Sequence, residues 1–143
     1  KIAVAGLNPH AGDGGLFGDE EIKSIGPAID DARQLDIDVE GPFPPDSVFV
    51  RARTVPYDGV VTMYHDQGGI AMKLLGFGKG VAVMGGLPFP VVTVGHGTAY
   101  DIVGRGTAQS LGMLQAFQVC CQIARGARAA ARPLAILNKI RST

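Results

Sequence analysis

The chain has 143 residues, a length that suits one domain with enough chain to bury a real core. Thirteen basic residues balance thirteen acidic ones, which leaves no electrostatic footprint for nucleic acid or an anionic membrane. Hydrophobic residues make up 46%, yet no run reaches the roughly eighteen needed to span a bilayer. Glycine is the anomaly: 21 residues, about twice ordinary usage, clustered beside His, Asp and Lys as functional loops would have them. Cys120 and Cys121 are adjacent, without CxxC spacing. Free thiols are therefore expected, as in a reducing cytosol, and the expected location is cytoplasmic. The chain opens directly on a strand, with no initiator Met and no signal peptide, and is expected to be part of a longer protein.

Taken in order, Ile2–Ala5 reads as a short buried strand ended by Gly6. A long glycine-rich loop, Leu7–Gly18, follows and carries His10. Asp19, Glu20 and Glu21 place negative charge where a helix N-terminus favours it; Glu20 and Glu21 are expected to form a solvated first turn. Ile22, Ile25, Ala28, Ile29, Ala32 and Leu35 keep helical spacing, with a kink or break near Gly26-Pro27. Ile37–Val39 reads as a short strand or edge segment, and Gly41–Asp46 as a stiff connection. Asp46 is a good N-cap for Ser47–Arg51, and Arg51 and Arg53 read as surface charges.

Gly59–Met63 reads as a buried central strand that ends in Tyr64-His65-Asp66-Gln67 and then Gly68-Gly69. A polar cluster at the carboxyl end of a buried strand is where open α/β sheets place ligands. If Gln67–Leu75 is helical, two turns separate Asp66 from Lys73 on roughly the same face. The plainer alternative is a turn whose polar residues only cap a helix, with Asp66 as N-cap. Val81–Met84 and Val91–Val94 read as two further buried strands, joined by the rigid Leu87-Pro88-Phe89-Pro90. The second runs into Gly95-His96-Gly97-Thr98-Ala99-Tyr100-Asp101 and a helix start. All three histidines of the chain thus follow a predicted strand into a glycine-bearing loop. Ala108–Ala124 is the longest predicted helix, apolar on more than one face, so it packs in a core or against another copy. The Ala- and Arg-rich tail from Arg125, with Pro133, is expected to fray or dock weakly.

Two histidines on separate loops can converge as nitrogen ligands for a divalent metal, since imidazole suits zinc, cobalt, nickel or iron. A catalytic site needs about three protein ligands and an open position. His10 and His65 supply two, and Asp66 or a residue outside this chain supplies the third. Lys73 is then a candidate proton donor or acceptor, or a grip for an anionic group; its ordinary reading is a solvated helix residue. The small residues of His96–Ala99 let an extended ligand lie against backbone amides, and a phosphate could use the helix N-terminus there. No GxGxxG fingerprint is present.

The segments Gly6-Leu7-Asn8-Pro9-His10-Ala11-Gly12, Met63-Tyr64-His65-Asp66-Gln67-Gly68, Gly86-Leu87-Pro88-Phe89 and His96-Gly97-Thr98-Ala99 resemble, in order and spacing, the 4-hydroxythreonine-4-phosphate dehydrogenase family of pyridoxal phosphate (pyridoxine) biosynthesis. The loop from His96 to Gly104 is also similar to the nucleotide loop of isocitrate and isopropylmalate dehydrogenases. The resemblance implies an α/β fold of the isocitrate/isopropylmalate dehydrogenase type, with this chain the C-terminal portion of a two-domain subunit that works as a homodimer. Residues 1–128 would be the metal- and nucleotide-binding part and 129–143 a C-terminal tail. It implies metal-dependent, NAD- or NADP-linked oxidation of a secondary alcohol, followed by decarboxylation of the β-keto acid. His10 and His65 fall on two of the family's three metal-ligand histidines; the third belongs to the family's N-terminal half. Zinc leads among the metals, with manganese, cobalt or magnesium as alternatives. Lys73 falls on a substrate-binding lysine and is, with Asp66, a catalytic candidate. His96, Gly97, Thr98, Ala99 and Asp101 fall in the loop that resembles the cofactor site.

Three departures bear on substrate. The family usually carries Asn where this chain has Ala82, Arg where it has Val91, and Asp where it has Gly95. Loss of polar groups at the substrate positions Ala82 and Val91 implies retained redox chemistry on a changed substrate. Alternatives within the superfamily are 4-phospho-threonate and a cis-dihydrodiol of an aromatic dicarboxylate of the terephthalate type. An alternative of another class is a non-catalytic metal-binding or assembly domain, with the glycine loops an inherited scaffold.

Overall fold

The computed structural model describes residues 1–76 and 78–141, with 127–141 described by their helical backbone. The last two residues of the expected tail lie outside the described residues. The chain divides into two units, Lys1–Met72 and Lys73–Thr143.

The first unit is built on three parallel strands, β1 (Ile2–Ala5), β2 (Val39–Phe43) and β3 (Gly59–Val61), in the order β2-β1-β3. Successive side chains of a strand point to opposite faces, and β1 buries both. Val4 packs with Val39 and with Ile25 and Ile29 of the segment leading into and along helix α1 (Gly26–Gln34). Ala3 and Ala5 pack instead against Val48 of helix α2 (Val48–Arg51), which is fully buried. Burying a valine side chain contributes about 1.5–3 kcal/mol, so these two small clusters pin one helix to each face. The chain leaves β1 for β2 on one side and returns past β1 to β3 on the other. That makes the boundary between β1 and β3 the topological switch point of a doubly wound sheet.

The strand Ile2–Ala5 forms as expected, but β3 is neither central nor fully buried: Gly59 and Val61 are exposed. Among the described residues β3 is an edge strand, so only its β1 side and one face are covered. The strand expected at Ile37–Val39 starts at Val39 and runs through the supposed connection to Phe43. It bulges opposite Val4, where Gly41 is required: its φ is +141°, and a Cβ there would meet the Val4 carbonyl oxygen at 2.5 Å. Asp46 does not cap α2. Ser47 holds the N-cap position, without a side-chain capping bond, and its Oγ donates to the Pro44 carbonyl at 3.3 Å.

Arg51 is a surface charge, but a partnered one. Its Nε donates to the Tyr57 hydroxyl at 2.8 Å, its guanidinium lies 4.6 Å over the Phe43 ring, and Tyr57 donates to the Glu40 carboxylate at 2.6 Å. The Lys1 ammonium also pairs with Glu40. Lys1 first, then the Tyr57 hydroxyl, hold the Glu40 carboxyl down to about 2.

Helix α3 (His65–Gly76) runs from the first unit into the second. The second unit pairs β4 (Val81–Met84) and β5 (Val91–Val94) antiparallel, with Ala82 opposite Thr93 and Met84 opposite Val91. Helix α4 (Leu111–Arg141) packs mainly along β5. Gly112 and Ala116, one turn apart, are the buried residues of its described side chains. Strand β4, expected to be buried, is not: Ala82, Val83 and Met84 are exposed, whereas Val91, Val92 and Val94 of β5 are half-buried, because α4 lies mainly along β5. The long helix starts at Leu111 rather than Ala108 and continues beyond Ala124 to Arg141. Its apolar character on more than one face holds, since Met113, Leu114 and Phe117 remain exposed.

Candidate functional site

The loop after β1 is not irregular. Pro9–Gly15 forms a tight helical turn in which five successive residues take left-handed backbone angles: His10 (φ +57°), Ala11 (+54°), Gly12 (+81°), Asp13 (+43°) and Gly14 (+65°). Only glycine enters this region freely; the three non-glycine residues cost about 1 kcal/mol or more each. Such a run persists only where its surroundings over-determine it. His10 is exposed, its ring 5.9 Å from the Phe17 ring.

What holds the loop is Glu21. One carboxylate oxygen accepts the backbone N–H groups of Leu7 and Asn8, each at 2.7 Å, and the other accepts the Asn8 side-chain amide at 2.9 Å. Glu20 accepts the same amide at 2.6 Å. Glu21 is 5% exposed, so its expected place in a solvated first turn is overturned, whereas Glu20 is exposed as expected. Burial pushes the Glu21 carboxyl up, but the donations from Asn8 and Leu7 outweigh it and hold the group below the usual carboxylate range. The helical register explains the miss. Glu21–Ile25 is a π turn, with Gly26 donating to the Glu21 carbonyl, and a wider turn shifts the phase of the helix that follows. Ile22 and Leu35, expected inside, are exposed, and Glu21 takes the buried face with Ile25 and Ile29.

At the end of β3, α3 begins at His65 itself. Asp66 therefore lies in the first turn, where negative charge is favourable, and not ahead of the helix as its N-cap. The His65 imidazole lies back over Gly69: a Cβ at 69 would stand 3.3 Å from Nε2. Gln67 ties this helix start to the first loop. Its amide donates to the Gly6 carbonyl at 3.0 Å, and its oxygen accepts the Met63 N–H at 2.8 Å. His10 and His65 thus stand on connections that leave the carboxyl ends of adjacent parallel strands, at the switch point where open α/β sheets bind ligands.

The donor chemistry fits a divalent metal in part. Two exposed imidazoles on one sheet edge suit zinc or cobalt. Among the described residues no three of His, Cys, Asp and Glu group closely enough to hold an ion, so Asp66 does not complete a set of three here. The remaining ligand of a three-ligand site has to come from outside the described residues.

The second unit carries the other sequence candidates. Lys73 is exposed on α3. Ala82 and Val91 share one face of the β4–β5 ribbon, because 82 and 84 alternate to the same side and 84 stands opposite 91. Diagonal neighbours of this kind are about 7–8 Å apart. His96, Gly97, Thr98, Ala99 and Asp101 are all exposed. The His96 Nδ1 stands 2.9 Å from the Gly97 carbonyl oxygen, and its ring lies against Gly112 at the start of α4. Ala99 is left-handed at φ +51°. The helix that follows is a single 3₁₀ turn, Tyr100–Ile102, too short to offer a phosphate an N-terminal site, so any ligand here meets loop backbone.

Two residues with structural leverage on the site escaped the sequence reading. Glu21 had a signal, its i, i+4, i+8 relation to Ile25 and Ile29. Gln67 had none beyond its place in the motif, since its partner is Gly6, far away in sequence.

Comparison with known proteins places the chain in a family. Residues 1–120 match the family model described as pyridoxal phosphate biosynthetic protein PdxA. The chain is 54% identical over 124 residues to the D-threonate 4-phosphate dehydrogenase of Salmonella typhimurium, covering 87% of this chain and 38% of that protein. It is 54% identical over 123 residues to the 4-hydroxythreonine-4-phosphate dehydrogenase of Beijerinckia indica, covering 86% of this chain and 36% of that one. It superposes on the crystal structure of the 4-hydroxythreonine-4-phosphate dehydrogenase of Klebsiella pneumoniae with a TM-score of 0.75 at 51% identity, covering 87% of this chain and 38% of that one. The chain therefore spans a little over a third of the length of these relatives. With a family match across residues 1–120, two imidazoles at the switch point and dehydrogenases for relatives, the chain belongs to the PdxA family.

Proposed function

We propose that this chain is the C-terminal, metal- and nucleotide-binding portion of an NAD(P)-linked dehydrogenase that oxidises the secondary alcohol of a small phosphorylated hydroxy acid. The fold is then of the isocitrate/isopropylmalate dehydrogenase type. The observation that carries the reading is the placement of His10 and His65 on neighbouring strand ends, tied by Gln67 to Gly6. When bound, a divalent cation supplies Lewis acidity toward the substrate hydroxyl, and NAD or NADP accepts the hydride. His10 and His65 would hold that cation, with zinc the leading choice. Asp66, exposed in the first turn of α3, takes or orients the hydroxyl proton, and Lys73 grips an anionic group of the substrate or returns a proton. The loop of His96, Gly97, Thr98, Ala99 and Asp101 receives the dinucleotide against its backbone. In balance, the alcohol loses a hydride to the nicotinamide and a proton to solvent. The β-keto acid formed then loses carbon dioxide and takes up a proton at carbon. A homodimer completes the site.

A second reading of the substrate has its own observation. Ala82 and Val91 lie on one face of the ribbon, at the positions where the resembled family usually has Asn and Arg. An apolar pair there favours a substrate less polar at that end, such as a terephthalate-type cis-dihydrodiol, whereas 4-phospho-threonate is favoured by the similarity to a D-threonate 4-phosphate dehydrogenase.

The test is NAD(P)H formation by the intact polypeptide with zinc, manganese or cobalt present, offered the three substrates in parallel. Turnover of any one, lost on chelation, supports the dehydrogenase reading. No turnover of any of them by a folded dimer with metal bound overturns it.

A further inference from the structure

We propose that Glu21 is a positioning residue: its buried carboxylate locks the entry of the left-handed loop and thereby fixes where the His10 imidazole is presented. The proposal rests on the metal reading of His10 and adds a residue that touches neither metal nor substrate.

Three observations carry it. The carboxylate accepts three hydrogen bonds from the loop, two on one oxygen from the N–H groups of Leu7 and Asn8 and one on the other from the Asn8 amide. A charge is taken out of water at such cost only where it is fully hydrogen-bonded, so this is a built contact and not an incidental cap. Second, the glycines of the loop are cut to fit it. A Cβ at Gly6 would fall 2.8 Å from one carboxylate oxygen, and a Cβ at Gly12 would fall 2.7 Å from the other. Gly6 has no unusual φ; the space there is taken by the Glu21 carboxylate and, at 3.0 Å, by the Ala11 Cα, so the clamp and the loop it holds close together on this glycine. Third, among the described residues, the side chains that hydrogen-bond the Leu7–Gly18 loop are those of Glu20 and Glu21. The strained run from His10 to Gly14 begins two residues beyond the clamp. Release of the clamp lets the run relax to right-handed angles, and the imidazole turns away with it.

The experiment uses the intact polypeptide and Co²⁺ as probe, read by its visible absorption, with hydrogen exchange of the loop amides alongside. Glu21→Gln keeps the shape but presents a donor to the Asn8 amide. It is expected to weaken Co²⁺ binding roughly tenfold to hundredfold, the scale on which outer partners of a ligand act, and to speed exchange at Leu7 and Asn8. Glu21→Asp, which keeps the charge but shortens its reach to Leu7 and Asn8, is expected to do the same and decides the matter where Glu21→Gln fails to fold. Glu20→Gln, at an exposed position, gives a smaller loss in the same direction. Faster exchange with unchanged Co²⁺ affinity in these variants, while His10→Ala abolishes binding, overturns the positioning role alone. Unchanged affinity in His10→Ala overturns the metal reading of His10 first, and the role of Glu21 with it.

Discussion

Gln67 donates its side-chain amide to the backbone carbonyl of Gly6 at 3.0 Å, across 61 positions of sequence. The bond joins the first turn of α3 to the last residue before the His10 loop, and the same side chain accepts from Met63. Gln67→Leu leaves a carbonyl and an N–H without that partner in a half-buried place. The expected cost is about 1–2 kcal/mol, read as a lower urea midpoint. Divalent-metal affinity should fall as well, because the two histidine-bearing connections lose their tie. A variant with normal stability and normal metal affinity would show that the bridge holds nothing.

Gly69→Ala separates stability from site geometry. Alanine in a helix is favoured over glycine by about 1 kcal/mol, and His65 is exposed and free to swing aside. Yet the new methyl would stand 3.3 Å from His65 Nε2, tighter than an ordinary contact, so the ring shifts off its present line. The variant should unfold at a higher temperature and bind Co²⁺ roughly tenfold more weakly. Equal metal affinity would mean that the ring orientation over Gly69 is not the one that binds.

Much of this was legible in the sequence, and the parts that were not share a cause. Strand β1, the helix after His65 and the strand ahead of His96 all follow from local periodicity and glycine punctuation. The candidate histidines were found for the same reason. Burial was misjudged for Val61, Val83 and Met84 because an apolar run reports what a strand could bury, whereas exposure depends on which other elements cover it. Glu21 was misjudged because one π turn rephased the helix, and because a buried carboxylate looks like a solvated one until its donors, Leu7 and Asn8, are brought from the other end of a loop. The tie from Gln67 to Gly6 is wholly tertiary and leaves no local trace.

Glu40 makes the acid behaviour of the first unit testable. Its carboxyl is held down to about 2, by Lys1 first and then Tyr57. A carboxylate lowered on folding contributes stability that is complete above its unfolded value, 4.5, and is lost as pH falls from there toward about 2. The chain should therefore lose thermal stability across that window, and Glu40→Gln should be less stable at neutral pH and lose less across it. The contribution is modest because the network is solvent-accessible. Parallel pH profiles of the two proteins would show that Glu40 contributes nothing to acid sensitivity.

The substrate argument turns on Ala82 and Val91, which the antiparallel register places on the same face of the ribbon, diagonal across the Met84–Val91 and Ala82–Thr93 pairs. Both side chains are apolar, and Ala82 is exposed, so neither can hydrogen-bond a charged substrate end. A site built to hydrogen-bond a polar group discriminates far more strongly than an apolar one, because its own donors go unpaired with the wrong ligand. Ala82→Asn with Val91→Arg adds an amide and a guanidinium to one surface, in side chains long enough to reach a common anion. Neither position lies in the core, so the double variant should fold with a thermal midpoint close to the parent. Its kcat/KM for 4-phosphohydroxythreonine should rise by about tenfold or more, the effect of one charge-assisted hydrogen bond. Turnover of 4-phospho-threonate, which carries the same phosphate and carboxylate, should rise with it, while that of the phosphate-free cis-dihydrodiol should stay level or fall. A gain for all three substrates alike would assign the effect to general electrostatic attraction, and no gain for any would remove this face of the ribbon from the substrate site.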